Sequence, residues 1–395
     1  MRRTGDRRGR AARHAAAMLC SLAFGAMSPA FALNGTGVRT ADPLTWPVPT
    51  PAEAAAREQA GEAFVRDLVA ALRARPEPRF QLAAAVLLVQ STRDGRAEGE
   101  ALFARIRAGS DDPAVLHVAA GRCPFEATVC DADGALDALL ARDPRDAEAI
   151  FRALDRAQRR GDTDGFDTWL AMLPAARFGE GGMLAANRAW TEVYALLRDD
   201  PRLPMIAGSL AVDARPLPPD LAIGVAALGR ALAVPFVGRD ALSSGCVAAL
   251  EAPALVHRLQ DCRRAAVWLR EHGETRSDPY VGIRLGWRLA IDDTERADLE
   301  RQWREHQWLG RGTSLDGTPA QPPGGLEGWR RQAVRYHVLL LEQPSESAAL
   351  AIFRAEHGIG ETPPADYRPT YTLAELDALR TAAQHHPAGS HAPPR

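Results

Sequence analysis

The stretch 133-DGALDALLARDPRDAEAIFRALDRAQRRGDTDGFDTWLAMLP-174 carries the clearest structural signals in the chain. Ala135, Leu136, Leu139 and Leu140 form one apolar stripe at helical spacing. Asp143-Pro144-Arg145-Asp146 then reads as a start signal: a capping carboxylate, a proline at the first helical position and an acid in the first turn. Ile150, Phe151, Leu154 and Ala157 continue the pattern. Arg159-Arg160-Gly161 closes it, with cations over the helix dipole and a glycine for a left-handed stop. A third helix carries Phe166, Trp169, Leu170 and Leu173 and ends at Pro174. None of these helices can bury its stripe alone, so each must stack on a neighbour.

The same punctuation extends outward. Asp112-Pro113 repeats the Asp143-Pro144 signal 31 residues earlier. Helices are expected over 52–73, 80–90, 96–107 and 113–120. After a glycine-rich turn at 179–182 they are expected over 183–198, 220–233, 240–250, 254–271, 279–291, 294–308, 326–341, 345–356 and 373–384. Alanine, leucine and arginine dominate, and no run alternates β-branched with polar residues. The expected fold is all-α, with antiparallel helical hairpins stacked as a repeat-like solenoid.

Residues 139–173 resemble a tetratricopeptide-type repeat over about one repeat length, on the strength of the Asp-Pro start and the Gly161-Asp162 turn between two amphipathic helices. Sel1-like helical arrays, whose hairpins are pinned by disulfides, are similar too. The resemblance implies a protein-binding scaffold, not a catalyst.

Residues 1–32 read as a secretory leader: six arginines, an apolar core over 15–24, and Ala30-Phe31-Ala32 as a small-x-small cleavage site. Beyond it we expect an extended lead-in over 33–51, a helical-repeat region over 52–200 and a proline-rich linker over 201–219. A second helical region over 220–309, a Gly/Pro loop over 310–325, C-terminal helices over 326–384 and a disordered tail over 385–395 complete the expected organisation. The full chain has 48 Lys+Arg against 50 Asp+Glu. Without the leader's six arginines and one aspartate, 42 basic face 49 acidic residues, a net charge of −7. That argues against nucleic acid as a partner. The apolar run 221–237 is too short and too interrupted, by Arg230, to span a bilayer, so no transmembrane segment is expected after leader cleavage. The chain is expected in the periplasm or secreted.

Four cysteines then remain, and export places them in an oxidising compartment. Cys246 and Cys262 flank Pro253, which breaks an otherwise helical stretch. Residues about equidistant from such a turn sit side by side, so these two are expected to pair. Cys123 and Cys130 bracket a short helix connection and are expected to pin it.

Catalytic patterns are missing. Every basic residue is arginine, which excludes a phosphate-loop, Schiff-base or Ser-x-x-Lys lysine. Gly-x-Ser-x-Gly and His-Glu-x-x-His do not occur. Glu271-His272-Gly273 and Glu356-His357-Gly358 read as helix ends with glycine stops. No catalytic residue, metal site or cofactor is expected. The late tryptophans offer candidate binding residues in Trp303, Trp308 and Trp329, with Arg304 and Arg330 among them. The leading expectation is an exported scaffold that binds another envelope protein. The alternative is a cell-wall glycan binder or hydrolase using residues 268–331.

Overall fold

A computed structural model of the chain describes residues 50–91, 94–121, 123–179, 181–206, 218–232, 238–310 and 325–385. The leader, nearly all of the lead-in, the 310–325 loop and the tail lie outside the described residues, apart from their edge positions. Among the described residues the fold is all-α, without a strand.

The helices are α1 (Pro51–Arg73), α2 (Pro78–Ser91), α3 (Arg96–Gly109), α4 (Pro113–Ala120), α5 (Ala127–Cys130) and α6 (Ala132–Arg142). They continue with α7 (Ala147–Arg160), α8 (Thr163–Met172), α9 (Met183–Ala195), α10 (Leu203–Ile206), α11 (Pro219–Leu232) and α12 (Arg239–Glu251). Last come α13 (Leu259–His272), α14 (Ser277–Leu289), α15 (Asp293–Gly310), α16 (Gly325–Glu342), α17 (Glu346–Glu356) and α18 (Leu373–His385).

Side-chain caps fix several starts. Thr50 and Glu53 form a reciprocal capping box on α1. Asp112 caps α4 with Pro113 at the first helical position, as the sequence indicates. The second Asp-Pro signal is used differently. α7 begins only at Ala147, capped by Asp146, whose Oδ1 accepts from Ala149 N at 2.8 Å. Asp143 and Pro144 instead shape the preceding turn, where Asp143 accepts from Arg145 N at 3.0 Å. Gly161 ends α7 at φ 66°, the left-handed stop its position indicates. Gly273 sits at φ −58°, so the end of α13 is not a left-handed stop.

Neighbours in sequence pack as pairs: α1 on α2, α2 on α3, α7 on α8, α13 on α14, α14 on α15 and α16 on α17. Other contacts join helices far apart in the chain, including α2 with α9, α7 with α12 and α11 with α16. The largest core cluster has members from Phe64 to Leu289, including Leu203 and Leu221 on either side of residues 207–217, which lie outside the described residues. The described part of the proline-rich stretch is tied down, with Leu203 fully buried and Arg202 paired to Asp67 at 2.6 Å. Phe151, Ile150 and Leu154 are fully buried, and burying each such side chain contributes about 1.5–3 kcal/mol.

Both expected disulfides are present. Cys246 in α12 and Cys262 in α13 have Cα atoms 5.7 Å apart, across a 3₁₀ turn at Pro253–Arg258. Cys123 and Cys130 have Cα atoms 6.2 Å apart, and the loop they close rests on α3 through Phe125 stacked on Phe103 at 4.2 Å.

Candidate functional site

Polar groups collect around the first two turns of α7, a helix buried almost all round. Arg152 is 4% exposed yet charged, so its donors need partners. Its Nη1 reaches α4, donating to His117 Nδ1 and to the His117 carbonyl, each at 2.9 Å. An arginine can only donate, so Nδ1 accepts. His117 Nε2 therefore carries the hydrogen and donates to Asp146 Oδ2 at 3.1 Å. Both ring nitrogens are committed, which leaves none to abstract a substrate proton. Burial raises the Asp146 carboxyl, but the hydrogen bond from His117, the Ala149 amide and the Arg152 charge outweigh it and hold the group below the usual range. Burial lowers the Arg152 guanidinium, and nearby Glu148 and Asp146 offset only part of that.

The loop before α9 completes this wall. Ala147 N donates to Arg177 O at 3.0 Å and Arg177 N to Arg145 O at 2.8 Å, which pins the loop to the start of α7. Gly181 is thereby pressed onto the imidazole: a Cβ there would lie 2.2 Å from His117 Cε1.

The opposite side of the same turn is a closed ionic junction. Glu148 receives Arg239 from α12 through two bonds, at 2.9 and 2.6 Å. Arg239 also donates twice to Asp278 Oδ1 of α14, at 3.1 and 3.0 Å. Asp278 Oδ2 takes the Thr275 amide and hydroxyl. The guanidinium lies 4.2 Å from the Phe151 ring centre. Burial alone would lower the Arg239 pKa, but the two carboxylates raise it above the ordinary value. Close by, Glu274 accepts from the Met183 and Leu184 amides, at 2.9 and 3.2 Å, holding the N-terminus of α9. Burial, then repulsion from Glu148, pushes its carboxyl up to about 7.

On the Arg152 side opens a cleft of about 200 Å³. Its walls are apolar: Phe80, Ala83 and Val86 of α2, Val118 of α4, and Ala186 and Trp190 of α9. Arg152, His117, Gly121 and Gly181 also line it. The lining includes Arg79, Gln90 and Arg230 but no carboxylate among the described residues. Arg230 Nη1 donates to Gln90 Oε1 at 2.6 Å, and its guanidinium lies 5.7 Å from the Trp190 ring centre. Arg79 makes an exposed ion pair with Glu192 at 3.2 Å.

The residues singled out from sequence lie elsewhere. Trp303 is 2% exposed, and its Nε1 donates to Tyr371 O at 2.7 Å. Arg304 Nε donates to Tyr367 O at 3.0 Å and its Nη2 to Pro364 O. Trp308 Nε1 donates to Gly360 O at 2.9 Å. All three hold the 360–371 segment against α15. The side chains of Trp329 and Arg330 lie outside the described residues. The four cysteines are bonded in the two pairs above. Sequence alone does not bring the cleft residues together, although one signal is present: the first two turns of α7 carry Glu148 and Arg152 among positions that are otherwise apolar, and turns buried all round must pair such charges.

Among the described residues, no group of three His, Cys, Asp or Glu could hold a metal ion, and no helix is long and apolar enough to cross a membrane. No protein-family model matches the chain, and neither does any curated protein or solved structure.

Proposed function

We propose that the chain is an exported, repeat-like helical scaffold that binds another protein of the cell envelope, with the cleft between α2, α4, α9 and α11 as its seat. The observation that carries this reading is the cleft itself: apolar walls, arginines on several sides and no carboxylate in the described lining. Such a surface suits an apolar segment with negative charge. The two disulfides fit an oxidising compartment. The stacked helix pairs and the Asp-Pro signals fit a tetratricopeptide-like or Sel1-like arrangement. The glycan reading gains no support, because Trp303, Trp308 and Arg304 direct their donors at the protein's own carbonyls.

The test is cross-linked capture from an envelope extract, with the wild-type chain beside Ala189→Trp. Ala189 is exposed and lines the cleft, so the indole would fill it without entering the core. A named envelope protein retained by wild type and lost with Ala189→Trp is the expected result. Recovery of nothing above background, or equal recovery by both chains, would refute the reading.

A further inference from the structure

The cleft is small. Pockets for drug-sized ligands run to about 300–1,000 Å³, whereas this one offers about 200 Å³, room for one or two side chains rather than a helix. Its deepest charge is incompletely met. Among the described residues Arg152 bonds only through Nη1, and only to an imidazole nitrogen and a carbonyl. Its buried Nε has no hydrogen-bond partner. Among the described residues its Nη2 has no hydrogen-bond partner, and it lies beside Gly121, where a Cβ would stand 3.3 Å from it. A guanidinium presents five donors in a fixed fork, so one whole edge is unused. A carboxylate is the acceptor that matches that edge. The more exposed lining groups, Arg79 and Gln90, together with Arg230, are polar and suit main-chain amides and carbonyls rather than a continuing methylene tail.

We infer that this cleft receives the C-terminal end of the partner polypeptide, with an aliphatic last side chain between α2 and α9 and the terminal carboxylate on the Nη2 edge of Arg152. The inference rests on the protein-binding reading above and adds the identity of the bound segment. Arg79 and Arg230 steer the negative end inward, and the low dielectric of the apolar walls strengthens the final ion pair.

Calorimetry on the full chain tests it with three probes: an acetylated Ala-Ala-Leu tripeptide with a free C-terminus, the same peptide amidated, and decanoate. The free acid is expected to bind about 10- to 100-fold more tightly than the amide, the range for losing one hydrogen bond to a charged group. Arg152→Met is expected to abolish that preference. Because a core variant can fail to fold, Ala189→Trp serves as the second variant and is expected to remove binding of both peptides. Equal affinity for acid and amide, binding of decanoate alone, or no heat from any probe at millimolar concentration would overturn the inference. If capture from the envelope still depends on an open cleft in those cases, the protein-binding reading stands and only the C-terminal occupant is wrong.

Discussion

Arg239 and Arg152 are equally hidden, each 4% exposed; Arg152 belongs to α7 and Arg239 reaches it from α12. Their partners differ. Arg239 has Glu148 on one side and Asp278 on the other, with bonds from all three guanidinium nitrogens. Arg152 has a neutral acceptor pair at one corner and open donors elsewhere. The first arrangement joins α7, α12 and α14 and leaves nothing for a ligand. The second keeps a cation at the foot of an apolar cleft. The arginine bonded by carboxylates is a joint between helices, and the one that bonds none is where we place the ligand.

The largest expected effect would break this contrast most directly. Arg239→Met strands Glu148 and Asp278 in the core, and removing one member of such a buried set costs about 3–5 kcal/mol. Urea denaturation of the variant measures it, and a loss below that of Arg152→Met would erase the distinction.

Next comes the acid beside the junction. The Glu274 carboxyl titrates at about 7 in the folded chain, against 4.5 for the free group. The folded state therefore retains the extra proton between those values. The stability this gives is complete below pH 4.5 and is lost as pH rises through 7, a decline of about 3 kcal/mol. In stability measured from pH 4 to 8, Glu274→Gln is expected to flatten that slope.

Arg152→Met leaves fewer polar groups unmet, and about 1–3 kcal/mol is expected in the same denaturation assay. Arg79→Ala, at an exposed ion pair on the cleft, is expected to change stability by less than about 1 kcal/mol. It would slow the association of an anionic peptide in stopped flow, with an effect that fades as salt is raised.

Local chemistry made most of the helices readable. Asp112-Pro113, Gly161 and Ser345 each act within a few residues, and each does at its site what its type suggests. The Cys246–Cys262 bond was readable because Pro253 places a turn midway between the two residues. Where two local signals compete, sequence alone ranks them poorly. Asp143 and Asp146 both can cap, and only the Arg177 bridge and the His117 contact select Asp146. Gly273, after Glu271-His272, has the sequence setting of a left-handed stop. The structure instead needs a small residue there, since a Cβ would meet the Asp278 Cβ at 2.5 Å. The cleft was least readable. His117, Arg152, Gly181, Trp190 and Arg230 come from separate helices and loops, and nothing in their individual surroundings predicts that they converge.

The grip of α15 on the 360–371 segment has an evolutionary corollary. Trp303, Arg304 and Trp308 each grasp a carbonyl oxygen, an atom that every amino acid supplies. At Gly360, Pro364 and Tyr371 the held segment can therefore drift in identity while its path is preserved. The three grasping side chains have no such latitude, and variation among descendants of this chain should fall unevenly across the contact.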